Sequence, residues 1–267
     1  MTVGELSVRS VMDVPLHGGT ANRGLVVRVG HTVRRPAAPC RKATHALLGH
    51  LAAAGFDGAP RVLAADATTE TLTYIEGRAA APPLLDEMLT DEALASIADL
   101  LRRYHEAAAS FDPAGYRWPR GVPARFTTRL VSHNDAYPAN FIFRGGHAVA
   151  LIDFDLAGPG SAAWDLAAAA RYWCPLRDER DITDSRHGRA LARFRLLLDA
   201  YGLTRARRRE VAEAILANHD WDCAIIAEGV NAGHAGFIDC WNENGDTMIR
   251  ARRWCEMRQP DLLAAAR

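Results

Sequence analysis

Lysine is almost missing from this chain of 267 residues. Of 32 basic residues only Lys42 is a lysine, so any cation the protein uses is an arginine or Lys42. With so many alanines, the plainest source of that bias is a GC-rich genome. Formal net charge is zero, which gives no global attraction to nucleic acid or to an anionic membrane. The five cysteines are odd in number and include no CxxC pair, which argues against a disulfide frame or a zinc site and for reduced thiols in a cytoplasmic protein. "MTVGELSVRSVMDV" lacks an apolar signal core, and no uninterrupted apolar run approaches the ~20 residues that span a bilayer.

What is present reads as globular, since 49% of residues are hydrophobic. Residues 8 to 35 alternate strand-like runs with turns: "SVMDVPL", the turn "HGGTANRG", "LVVRVG", then "HTVRRP", stopped by Pro36. "RKATHALLGHLAAAG" has helical spacing through Ala43, Leu47, Leu48 and Leu51. "PRVLAAD" and "TLTYIEG" complete a small, mainly antiparallel sheet. The remainder is largely helical. Thr90 is the expected N-cap of "TDEALASIADLLRRYHEAAASF", and further helices are expected near 161–173, 188–202, 205–232 and 247–266. The fold class is therefore α+β. "GRAAAPP" divides it into an N-terminal lobe, 1–77, and a C-terminal lobe, 78–267.

One stretch concentrates polar groups inside an apolar frame: "VSHNDAYPANFIFRGGHAVALIDFD", from Val131 to Asp155. Carboxylates in such surroundings need partners. "FIFRGGHAVALID" reads as a β-hairpin turning at Gly145-Gly146. A hairpin returns the chain to its starting side, so Asn140 and Asp153 become neighbours. Asp135 lies five residues before Asn140, in a loop held by Pro138. These three hard-oxygen groups suit Mg²⁺ better than zinc or copper. The alternatives are a chance match and a surface turn at Asp153. Protein kinases use this spacing, with a catalytic Asp five residues before a Mg²⁺-binding Asn, then a second Mg²⁺-binding Asp.

With "HNDAYPAN", "LIDFDLAG" and "WDLAAAA" the chain resembles the aminoglycoside phosphotransferase and choline kinase-like group. The resemblance is strong over 131–170, extends in outline over 8–112 and is weak beyond 175. It implies a two-lobed protein kinase-like fold and transfer of phosphate from ATP with Mg²⁺. It makes Asp135 the catalytic base, Asn140 and Asp153 the metal ligands, Asp165 a support of the catalytic loop and His133 a structural residue. Asp155 is either a ligand or a turn residue. Gly18 and Gly19 fall where a loop would cover the phosphates, or form an ordinary turn. Tyr74 and Glu76 fall at the inter-lobe hinge, where backbone groups would meet adenine. The third strand should carry a lysine paired with a helix glutamate. Here Arg34 is the best positional match, with Arg35 and Arg28 behind it. No Glu occurs between Glu5 and Glu70, and Thr44 or His45 takes the glutamate's place.

A second shortage lies further along. No Arg or Lys occurs between Arg209 and Arg250, while that span holds Asp220, Asp222 and Glu228 among other acids. The resemblance makes this the substrate region, with those three meeting amino groups of a cationic small molecule; a solvated helix face is the alternative. Trp221 and Trp241 would stack on the ligand or belong to the core. The function expected is a kinase for a hydroxyl of an aminoglycoside-like antibiotic or amino-bearing metabolite. The alternative is a non-catalytic immunity protein that sequesters a toxin or antibiotic.

Overall fold

A computed structural model describes residues 13–16 and 24–267. The first short runs rich in Val and Thr pair as expected. β1 (Val14–Pro15), β2 (Val27–Val29), β3 (Thr32–Pro36), β4 (Val62–Ala65) and β5 (Thr69–Thr73) form one antiparallel sheet in the order β1-β2-β3-β5-β4. Helix α1 (Arg41–Ala53) turns Ala43, Leu47, Leu48 and Leu51 inward. β5 stops at Thr73, and Tyr74 instead donates its N–H to the His31 carbonyl.

Beyond Gly77 the chain joins the second sheet at once. β6 (Arg78–Ala79) is followed by α2 (Asp91–Ala108), whose first turn is capped by the Thr90 hydroxyl accepting from Ala93 N at 3.0 Å. β7 (Val131–Ser132) precedes the hairpin of β8 (Phe141–Arg144) and β9 (His147–Leu151), which turns at Gly145 and Gly146, both at positive φ. β6 pairs with β8, and β10 (Gly158–Pro159) pairs with β7. The helices α3 (Ala162–Trp173), α4 (Ala190–Tyr201), α5 (Arg205–Asn231), α6 (Ala235–Met257) and α7 (Gln259–Ala265) build the rest. Tyr104, Trp164, Trp173, Phe141, Phe154 and Phe194 are buried where these elements meet. The buried Arg193 joins α4 to the start of α2 through Leu89 O and Asp91 and to α3 through Trp173 O. Among the described residues no helix is long and apolar enough to cross a membrane.

The expected last helix, 247–266, is corrected. α6 begins at Ala235, twelve residues earlier than expected, and breaks before α7. "GFIDCWNENGDT" is rich in Gly, Asn and Asp, poor helix formers. Only Gly245 and Cys255 of α6 are buried, so no apolar stripe announces it. It is held by α5 instead. Phe237 lies so close over Gly229 that a Cβ there would come within 2.3 Å of the ring and 2.8 Å of Phe237 Cβ. Gly229→Ala should therefore wedge α5 and α6 apart and cost about 1–3 kcal/mol in a urea melt. Adding Phe237→Ala should return part of that loss.

Candidate active site

The loop His133–Asn140 is fixed by a buried acid. Asp165, 0% exposed in the first turn of α3, accepts the backbone N–H of His133 at 2.8 Å and of Asn134 at 2.7 Å. Its Oδ2 also meets His105 Nε2 at 2.9 Å, and the other ring nitrogen of His105 meets the Tyr201 hydroxyl at 2.9 Å. His105 then donates to the carboxylate and accepts from the phenol. The Ser161 hydroxyl caps the same turn. His133 packs on Phe154 and donates from Nε2 to the Ile152 carbonyl at 3.0 Å. Burial lowers its pKa and keeps the ring neutral. Asp165 thus ties the loop to α3, and His133 ties it to the strand end at Ile152.

Asn134 lies between His133 and Asp135, at the turn of this loop. Its φ is 65°, a left-handed conformation that asparagine tolerates better than most residues. Its amide donates to Leu156 O at 3.0 Å and accepts the Ser132 hydroxyl at 2.7 Å. Gly160 leaves room for this, since a Cβ there would lie 1.9 Å from Ser132 Oγ. Asn134→Ala should cost about 1–2 kcal/mol for the backbone alone, with more from the lost bonds. Asn134→Gly, which relieves only the backbone, should melt between the parent and Asn134→Ala.

The hairpin does what its spacing predicts. Ile152 N donates to Asn140 O at 2.9 Å, which sets Asp153 beside Asn140. Asn140 turns its amide back to Asp135, donating to its carboxylate at 2.8 Å and to its carbonyl at 3.0 Å. Burial, then the charges of Asp153 and Asp222, raise Asp135 to about 7. Asp153 itself sits at φ 62°.

The third-strand cation is shifted by one residue from the expectation. Neighbouring residues of a strand face opposite sides. Arg34 points outward, 53% exposed, and pairs with Asp13 at 2.8 Å. Arg35 points into the cleft and gives each guanidinium nitrogen to a different acid: Nε to Glu70 at 2.6 Å, Nη1 to Asp153 at 3.0 Å and Nη2 to Asp155 at 2.6 Å. Burial opposes its charge, but Asp155, Asp153 and Glu70 outweigh it and raise its pKa. Burial, then Asp153, raises Asp155 to about 6 against the pull of Arg35. His45, one of the two residues proposed for the missing glutamate's place, donates to the second Glu70 oxygen at 2.5 Å. The sequence reading missed Glu70. Its signal was a charge in strand phase with Leu72, on the buried face of β5.

The remaining expected residues divide. Gly18 and Gly19 lie outside the described residues. At the hinge, Arg28 stacks 3.7 Å over the Tyr74 ring and pairs with Glu76, whose carbonyl accepts from Arg144 at 2.8 Å rather than standing open. Of the three acids expected at the substrate, Asp222 alone reaches the cleft. Asp220 pairs with Arg252 and Glu228 with Arg120 at the surface. A shallow, open pocket beside Asp135 is lined by Tyr137, Arg171, Tyr172, Trp221 and Asp222. Asp222 accepts from Arg171 at 3.0 Å and from the Tyr172 hydroxyl at 2.8 Å. Trp221 also closes on the core, edge to face with Trp164. Trp241 is exposed and lies over Gly245 of its own helix.

His219, buried on α5 three residues before Asp222, is lowered to about 4 by burial and then by Arg171. The unfolded chain binds this proton near pH 6.5 while the folded one refuses it. The corresponding stability is complete above pH 6.5 and is lost as pH falls toward 4. A change on the order of 3 kcal/mol is expected across that window. His219→Gln should flatten the parent's acid limb in urea midpoints measured from pH 7 to 4.5.

Known proteins carry the same pattern. A family model described as "Phosphotransferase enzyme family" matches residues 117–198. The trifolitoxin immunity protein of Rhizobium leguminosarum bv. trifolii is 34% identical over 219 residues, covering 78% of this chain and 82% of that protein. A homoserine kinase of Mesorhizobium japonicum is 32% identical over 152 residues, 56% of this chain but only 41% of that enzyme. Among solved structures, the GDP complex of aminoglycoside 2'-phosphotransferase-IIIa superposes with a TM-score of 0.63 at 13% identity, over 96% of this chain and 94% of that one. A choline/ethanolamine kinase family protein from Mesorhizobium loti gives 0.62 at 17% identity, over 91% and 88%. The two-lobed protein kinase-like fold is thus common to the chain and these structures, and by its loop and its near full-length relative the chain belongs to the aminoglycoside phosphotransferase-like family of phosphotransferases.

Proposed function

We propose that the protein is an ATP-dependent kinase that phosphorylates a hydroxyl of a small, amino-bearing molecule in the cytoplasm. The observation that carries this reading is the Asp135–Asn140–Asp153 arrangement, closed by the Ile152–Asn140 backbone bond. Asp135 would align the acceptor hydroxyl and take its proton as the new O–P bond forms. A carboxylate near pH 7 suits that exchange. Arg35 would meet the phosphates, a role expected of Arg34 until the strand phase is known.

The residues present fit a magnesium ion. Asn140 commits its NH₂ to Asp135, which leaves its Oδ1 for a hard cation. Asp135, Asp153 and Asp155 together exceed the one charge of Arg35. Among the described residues no three His, Cys, Asp or Glu side chains form a ready metal cluster. An ion held there would be bound through one carboxylate, one amide oxygen and the phosphates. Asn140 and Asp153 would hold it, and the ion would neutralise phosphate charge during transfer.

For the acceptor, Asp222 and the ring faces of Tyr137, Tyr172 and Trp221 suit an amino group beside a hydroxyl. The relatives named for homoserine, and the neighbours solved with gentamicin or streptomycin, act on or bind compounds of that class. An antibiotic and an amino-acid metabolite are both within it. A second reading is favoured by the immunity protein, whose similarity extends over most of its length. In it, the fold sequesters a toxin or antibiotic without phosphorylating it.

ATP consumption against aminoglycosides, other antibiotics and amino alcohols separates the two. Turnover with one acceptor supports the kinase; tight binding of a toxic compound with no ATP use supports sequestration. Asp135→Asn should lower turnover about 10²-fold or more while ADP still binds. Asp153→Ala should abolish the Mg²⁺ dependence of nucleotide binding in calorimetry, and an unchanged dependence would remove Asp153 from the metal site.

A further inference from the structure

In place of a strand lysine and helix glutamate, the cleft holds an arginine whose partner lies on the neighbouring strand. Arg35 and Glu70 are directly opposed in the β3–β5 register. Both side chains are buried, Arg35 at 8% and Glu70 at 2% exposure. Helix α1, "RKATHALLGHLAA", contains no acid, so it cannot supply the partner itself. It reaches the pair through His45, which bonds the Glu70 oxygen that Arg35 does not use.

We infer that Glu70 and His45 are the positioning residues of the phosphate-binding arginine, Glu70 holding Arg35 by its Nε edge and His45 tying helix α1 to Glu70. This rests on the kinase reading. The guanidinium is a planar fork with two usable edges. Glu70 takes Nε, and the Nη pair faces Asp153 and Asp155. Incoming phosphates must compete with those two aspartates for the Nη groups. With Glu70 in place the arginine is anchored to its own sheet and can exchange partners without leaving. Without Glu70 its only acids lie across the cleft, and it is drawn toward them and away from the nucleotide. A strand-borne anchor also fixes the arginine independently of the helix, which is then read only through His45.

The test is calorimetric affinity for ADP with Mg²⁺, with the melting midpoint of each nucleotide-free protein as a fold control. Glu70→Gln keeps shape but loses the charge and should weaken ADP about tenfold or more. His45→Ala, at a half-buried position, should weaken it about two- to fivefold. Glu70→Gln combined with His45→Glu moves the carboxylate from strand to helix and should restore most of the Glu70→Gln loss. A merely structural role would shift the melts and leave affinity without that rescue. ADP binding at parental strength in both single variants overturns the inference, as does a double variant no better than Glu70→Gln. If Glu70→Gln does not fold, His45→Ala decides alone, and unchanged affinity there overturns it. A parent that binds no nucleotide at all overturns the kinase reading instead, and this inference with it.

Discussion

A carboxylate with no exposed surface persists in a fold only if its charge is met from several sides. Asp165 is met by two backbone N–H groups and an imidazole, which is itself held by a tyrosine. Those partners come from α2, α4 and the loop after β7, so one side chain gathers the helical lobe around the loop. The loop's direction at Asn134 follows, and with it the aim of Asp135 and the place of Asn140. The acids of the cleft therefore depend on an acid that never touches it.

The cleft's electrostatics follow from the near absence of lysine. An ammonium is a compact point charge with one carboxylate as a usual partner, whereas a guanidinium has room for several. Arg35 uses that room to hold three acids from two lobes. The lobes are thereby joined by charge at the point where a nucleotide's phosphates would enter. Asp135 stands outside this pairing, with Asp153 and Asp222 near it, and its affinity for a proton rises accordingly.

The order of elements and the Asp135–Asn140–Asp153 constellation were legible because each rests on local spacing: a five-residue loop and a hairpin that closes on itself. Arg34 and Arg35 could not be told apart without the phase of β3, which depends on pairing with β5. The Glu70 partnership is non-local, linking residues 35 and 70 across two strands. α6 has weak propensity and little burial, so nothing periodic marks its start. Asp220 and Asp222 are different, since two residues on a helix differ by about 200°. Their divergence onto a surface ion pair and the pocket was open to reading and was missed.

The guanidinium beside Asp153 has a further chemical consequence. Reagents that acylate or form imines with amines commonly silence phosphate-binding sites by consuming a lysine. Here the group facing the aspartates carries no nucleophilic lone pair at neutral pH, and the chain's one lysine is an exposed residue at the start of α1. Amine chemistry would mark the surface and pass the cleft by, leaving its charge intact through acetylation that would disarm a lysine-based relative.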